Sequence, residues 1–114
     1  MKIINVTKNT TLAERVIVAD TLLSRMRGLL GRKSLEKGEA LILKSCNSIH
    51  TFFMRFTIDV IFADRNMCVV KTISYLKPFR ASLLYRKAFF AVELPAGTIL
   101  ESATSAGDFL ILER

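Results

Sequence analysis

His50 is the only histidine in the chain, and it stands four residues after Cys46 and four before Met54. An unperturbed imidazole titrates at about pH 6.5, so this side chain can serve as a general base, a metal ligand or a pH sensor. Thiolate, imidazole and thioether are soft ligands. On a helix the four-residue spacing would set Cys46, His50 and Met54 on one face, a set suited to Cu(I). Against this, Phe52, Phe53, Phe56 and Ile58 read as extended or irregular chain, and methionine commonly fills gaps in a core. A closed zinc site also wants four good ligands. The competing reading of His50 is a hydrogen-bonded imidazole that fixes a loop.

Asp59 sits between Ile58 and Val60, and Glu93 between Val92 and Leu94. A carboxylate inside an apolar strand must find partners, because desolvation penalises its charged form. For Asp59 the candidates are Arg55, His50 or the backbone N–H groups of a neighbouring loop. His50 with Asp59 or Glu93 would be the working pair of a hydrolase or transferase, and such a pair predicts a perturbed histidine in a cleft. The structural alternative for each acid is a pin that holds its segment.

A second cluster is basic. No acid occurs from Arg65 through Val92, while Arg65, Lys71, Lys77, Arg80, Arg86 and Lys87 all fall there, interleaved with Phe79, Tyr85, Phe89 and Phe90. Cations with exposed aromatics can track a phosphate backbone and stack bases, which makes Lys77, Arg80, Arg86 and Lys87 nucleic-acid candidates. Phe89 and Phe90 read as part of a buried strand, and a solvated basic loop is the alternative.

The chain has 114 residues, half of them apolar, with a net charge of +7. That size fits one domain, 1–114, with a core able to form without metal or disulfide help. The charge favours acidic partners (nucleic acid, an anionic membrane face, acidic proteins) or simply confers solubility. Cys46 and Cys68 are too few for a small secreted scaffold. The N-terminus lacks a signal peptide and no apolar stretch approaches 18 residues, so the expectation is a cytoplasmic protein with reduced thiols and no membrane span. No Walker loop, Rossmann glycine pattern, Cys-x-x-Cys or Gly-x-Ser-x-Gly occurs, which removes several common enzyme classes.

The elements that must position these residues are mostly strands. Ile3 to Val6, Arg15 to Ala19, Ala40 to Lys44, Thr57 to Ala63, Cys68 to Tyr75, Ala88 to Leu94 and Phe109 to Leu112 carry β-type composition between turn residues. Asp64-Arg65-Asn66 predicts a hairpin turn. The run from Ala88, apolar on nearly both faces, predicts a central strand. Leu22, Leu23, Met26, Leu29 and Leu30 form a helical stripe over about 21–31, with Asp20 as N-cap and Gly31 as stop. Pro95 predicts the start of a second helix, about 95–104. The expected class is α+β: strand-rich, a mainly antiparallel sheet curled toward a small barrel, with two short helices.

The chain resembles the DUF192 family of small uncharacterised prokaryotic proteins, from about Met26 to Leu110. The resemblance rests on Met26-Arg27-Gly28-Leu29-Leu30, on the run Ile49 to Phe62, on Val92-Glu93-Leu94-Pro95-Ala96-Gly97 and on Gly107-Asp108. It implies a compact domain of mixed α and β structure dominated by strands, and no established activity. The motif positions carried over are Arg27, Gly28, His50, Met54, Asp59, Glu93, Pro95 and Gly97. Phe53 stands where many relatives have Trp, and Thr57 where Pro is common. Many relatives also carry export or lipoprotein signals, which this chain lacks.

The reading that follows is a non-enzymatic binding module for a small ligand, peptide or protein, with cofactor unassigned. Its candidate site is Arg27, His50, Thr51, Met54, Arg55, Asp59 and Glu93. Arg27 and Arg55 would hold an anionic group or stabilise the acids, His50 and Thr51 would give directional hydrogen bonds, and Phe52, Phe53 and Phe56 would form an apolar wall. An enzyme built on His50 and a nucleic-acid protein built on the 65–87 region are the alternatives.

Overall fold

Alternating and continuous apolar runs, broken by Gly, Asn and Asp turns, give eight short strands among the described residues. The structure is a computed structural model, and it describes residues 1–19, 35–51 and 54–114. The elements are β1 (Lys2–Asn5), β2 (Thr10–Ala13), β3 (Arg15–Ala19), β4 (Glu39–Lys44), β5 (Ile58–Ala63), β6 (Val69–Leu76), β7 (Phe90–Pro95), a helix α1 (Thr98–Ser102) and β8 (Leu110–Glu113). They form a five-stranded sheet in the order β3-β4-β7-β5-β6 and a three-stranded sheet in the order β2-β1-β8. Among the described strands only β3 and β4 run parallel; every other pair is antiparallel.

β7 lies third of five, as its two-faced apolar run predicts. Every residue of its neighbour β5 is buried. Such strands need cover on both sides. On one face Leu41, Leu43, Ile58, Val60, Phe62 and Ala91 pack with Ile49 and Met54. On the other, Ala40, Ile42, Ile61, Val92 and Leu94 pack with Ile3, Leu12 and Leu110 of the small sheet and Ile99 of α1. Phe62 is fully buried, and truncating such a ring to Ala costs about 3–5 kcal/mol.

The structure corrects two expectations and adds a strand. The sheet does not close into a barrel: β3 and β6 end one sheet, β2 and β8 the other. The chain instead places a second sheet across the first. The helix expected at 95–104 is shorter, because Pro95 is the last residue of β7. Gly97, at φ 100°, makes the turn, and α1 then runs only from Thr98 to Ser102 before Ala103 takes a left-handed conformation. Proline fits the end of a strand as well as the start of a helix, since both tolerate its fixed φ and missing N–H. The added strand is β2, unread in the sequence because Thr-Thr-Leu-Ala is short and carries only weak alternation. The helix expected at about 21–31 lies outside the described residues.

The β5–β6 hairpin forms where expected. Asp64 Oδ1 accepts hydrogen bonds from the backbone N–H of Asn66 and Cys68, at 2.9 and 3.0 Å. This is the local carboxylate turn that favours Asp at such corners.

Candidate functional site

Asp59 is fully buried in β5. β5 and β6 pair Ile58 with Leu76 but Val60 with Ile73, so Ser74 and Tyr75 bulge opposite Asp59. Tyr75 adopts φ 57° at this bulge, and its N–H donates to Asp59 Oδ1 at 2.9 Å. The other oxygen, Oδ2, accepts from the N–H of Gly97 at 3.1 Å and of Ile99 at 2.8 Å. Of the three partners open in the sequence, Asp59 thus takes backbone N–H groups. It ties β5 to the β6 bulge and to the turn that starts α1. Gly97 is needed there: its φ is positive, and a Cβ would meet Tyr75 Oη at 3.4 Å.

Glu93 is also fully buried, but it faces the opposite way. In the antiparallel register it stands opposite Leu41 and Val60, whereas Asp59 stands opposite Leu94. Paired residues share a face and successive residues alternate. Glu93 therefore lies on the Ile49–Met54 side of the sheet, and Asp59 on the α1 side. The two acids cannot surround one pocket, and Asp59 does not meet His50.

The segment after β4 runs as an extended strap along the connection between β6 and β7. The N–H of Cys46 donates to Phe89 O at 3.0 Å, and that of Tyr85 to Asn47 O at 2.9 Å. Ile49 and Ser82 exchange two bonds: Ser82 N–H to Ile49 O at 2.7 Å, and Ile49 N–H to Ser82 Oγ at 2.9 Å. His50 bridges Ala81. Thr51 is buried; its Oγ1 donates to Lys77 O at 2.5 Å and accepts from Arg80 N–H at 3.0 Å. Its N–H donates to Arg80 O at 2.8 Å. Thr51 thus fastens two straps together and leaves its hydroxyl engaged within the protein, where the sequence reading had assigned it to a ligand.

Met54 is buried in the core, while His50 and Arg55 are exposed. Cys46 is half-buried, with Sγ donating to Ser48 O at 3.1 Å. Met54 is turned into the core whereas His50 is exposed, so Cys46, His50 and Met54 do not converge on one side of the strap. Among the described residues no group of three His, Cys, Asp or Glu side chains is placed to hold a metal. Cys46 and Cys68 are free thiols. Arg27, Gly28, Phe52 and Phe53 lie outside the described residues.

The nucleic-acid candidates Lys77, Arg80, Arg86 and Lys87 are all exposed on the second strap. The interleaved aromatics are largely engaged. Tyr85 packs on Phe62 with ring centroids 4.9 Å apart, and Phe89 meets Phe90 edge-on and lies 4.2 Å beneath the Arg65 guanidinium. Phe79 alone of the three in that strap stands mostly exposed, at 59%. Arg65, Arg86 and Lys87 line a cleft of about 400 Å³.

Two features escaped the sequence reading. One is a groove of about 510 Å³ among β2, the Lys37-Gly38 turn and α1, where Lys37 Nζ and Glu101 Oε2 face each other at 3.8 Å. The other is a clasp at Asp108. This carboxylate accepts from Asn5 Nδ2 at 2.9 Å, Lys8 Nζ at 2.8 Å and Ser105 N–H at 3.0 Å. The Asn5 hydrogen bond, followed by that of Lys8, holds its pKa down at about 2. Asn5 in the middle of a strand pattern was the available signal, since a buried amide demands partners.

The fold and site define an open, two-sheet, strand-dominated protein whose motif acids Asp59 and Glu93 are buried and whose strap cations are exposed. The chain belongs to the DUF192 family: the family model described as "Uncharacterized ACR" matches residues 3–112. Similar curated proteins include UPF0127 protein PF1050 of Pyrococcus furiosus, 37% identical over 97% of each chain. A UPF0127 protein of Thermococcus sibiricus is 36% identical over 93% of this chain and 71% of its own length. Two crystal structures share the fold. A Sinorhizobium meliloti protein described as a "putative transcription regulator" matches with TM-score 0.79 and 18% identity over 96% of this chain and 89% of its own. A protein of unknown function from Novosphingobium aromaticivorans matches with TM-score 0.81 and 16% identity over 97% and 82%. Among the described residues no helix is long and apolar enough to cross a membrane.

Proposed function

We propose that the protein is a binding module whose contact surface is the outer side of the two hydrogen-bonded straps, residues 46–51 and 77–89, and that its partner is anionic. One observation carries this reading. Pairing between the straps engages many of their backbone groups and Thr51, while His50, Lys77, Arg80, Arg86 and Lys87 are exposed on the same paired segments. The acids that an enzyme would need are inside: Asp59 is occupied by three backbone donors, and Glu93 is buried on the other face of the sheet. Binding is therefore favoured over a hydrolase or transferase centred on His50. The nucleic-acid reading uses the same surface, but among that strap's aromatics only Phe79 is mostly exposed, while Tyr85 packs on Phe62 and Phe89 lies under Arg65.

The test is retention on an immobilised polyanion as a function of salt. Reversing Arg80, Arg86 and Lys87 to Glu should bring elution to much lower salt than reversing Lys2, Lys71 and Arg114, three exposed cations elsewhere, because phosphate-like contacts release counterions only where the polyanion sits. Equal elution of the two variants would show that net charge alone drives retention and would end the proposal.

A further inference from the structure

The strap between β6 and β7 carries a feature that cationic binding alone does not explain. Leu83 and Leu84 are adjacent and are 75% and 60% exposed. They are not on a loose loop. Ser82 is fixed to Ile49 by two hydrogen bonds, and Tyr85 is fixed to Asn47 by its N–H and to Phe62 by its ring. The two leucines thus span the interval between two anchored residues, and the backbone holds them out into water. Arg80 lies just before them, Arg86 and Lys87 just after, and all three are exposed. Among the described residues no ion pair engages these three cations.

We propose that this tip docks the protein on an anionic lipid surface, with Leu83 and Leu84 entering the headgroup layer and Arg80, Arg86 and Lys87 meeting lipid phosphates. The proposal rests on the binding-module reading and names the partner of the same surface. An apolar tip inside a cationic collar matches the two layers of a charged membrane: aliphatic groups leave water at the interface while basic groups stay with the anionic headgroups. A nucleic acid would be a poorer match. Base stacking rewards open aromatic faces, whereas here Tyr85 is packed on Phe62 and Phe89 sits under Arg65. A pair of aliphatic side chains offers a base no such face. The shallow cleft at Arg65, Arg86 and Lys87 is open to a headgroup phosphate beside the tip.

The experiment is co-sedimentation of the full chain with vesicles of phosphatidylcholine, alone or mixed in equal parts with phosphatidylglycerol. The expected result is partition to the mixed vesicles only. Leu83→Ser/Leu84→Ser should weaken it by about tenfold or more, and Arg86→Gln/Lys87→Gln by about tenfold. Circular dichroism confirms that these surface variants fold. Undiminished vesicle binding by the leucine variant would overturn insertion of the tip. Absence of vesicle binding, with single-stranded RNA or polyglutamate held in an Arg86- and Lys87-dependent way, would overturn the lipid partner and leave the binding module standing. Binding to no anionic probe would remove both.

Discussion

The region around Asp59 and the region of the paired straps use polar groups in opposite ways. At Asp59 a side chain is spent on the backbone: three N–H groups, one from the β6 bulge and two from the turn into α1, converge on one carboxylate. In the straps the backbone is spent largely on itself, through bonds such as Cys46 to Phe89 and Ser82 to Ile49, and the charged side chains face solvent. The first arrangement fixes where β5, β6 and α1 sit. The second builds a braced platform and leaves its chemistry available. Reactive residue types in a sequence motif therefore need not mark a reactive site. Here Asp59 and Thr51 mark joints, and the exposed cations around them mark the surface.

The largest expected effect lies at the joint. Asp59→Ala should lower unfolding free energy by about 3–5 kcal/mol in urea denaturation, because the N–H groups of Tyr75, Gly97 and Ile99 lose their acceptor together. Asp59→Asn should fall between, since one oxygen remains while the amide nitrogen faces a donor. A loss below about 1 kcal/mol for the alanine variant would mean that the carboxylate is not what holds the turn.

Thr51→Val keeps the shape but deletes the hydroxyl between Lys77 O and Arg80 N–H. It should cost about 1–3 kcal/mol. It should also speed hydrogen exchange at Arg80 and Phe79 more than in β7, which would show the straps parting before the sheet does.

Acid should act at the second fastener. Asp108 has a pKa of about 2 when folded, below its ordinary value of 3.8. Its stabilising contribution is therefore fully present above about pH 4 and lost as pH falls through about 2. The melting temperature of Asp108→Asn should depend less on pH in that window than that of the unmodified chain.

The smallest effect on stability is expected where the largest effect on binding is expected. Reversal of Arg80, Arg86 and Lys87 should leave unfolding free energy within about 0.5 kcal/mol, since these side chains are exposed. A large destabilisation would place these cations in the frame instead of on the platform, and would erase the contrast between the two regions.

Much of the frame was legible in the sequence. Runs such as Ile58 to Ala63 and Arg15 to Ala19 declare strands through composition, and Asp64-Arg65-Asn66 declares its turn. What stayed hidden depends on register, which no single run contains. Asp59 and Glu93 look alike in sequence, each a lone acid in an apolar strand. Only the pairing of Asp59 with Leu94, one residue beyond Glu93, sends them to opposite faces. Thr51 likewise reads as an available hydroxyl until the 77–80 backbone is laid against it. The barrel expectation failed for a related reason: strand content predicts a sheet, but not that the chain's two ends form a second one. Arg27 and the helix expected around it lie outside the described residues.

That second sheet has a kinetic consequence. β1 pairs with β8, setting Lys2 opposite Glu113, so its central ladder closes a loop of nearly the whole chain. Loop closure costs conformational entropy that grows as about (3/2)RT ln n, whereas the β5–β6 hairpin closes across a short turn. Folding should therefore begin in the hairpin and finish with the β1–β8 ladder, on the slow millisecond-to-second scale of nonlocal β topologies. A destabilising change at buried Ile3 in β1 should then accelerate unfolding while leaving the folding rate nearly unaltered.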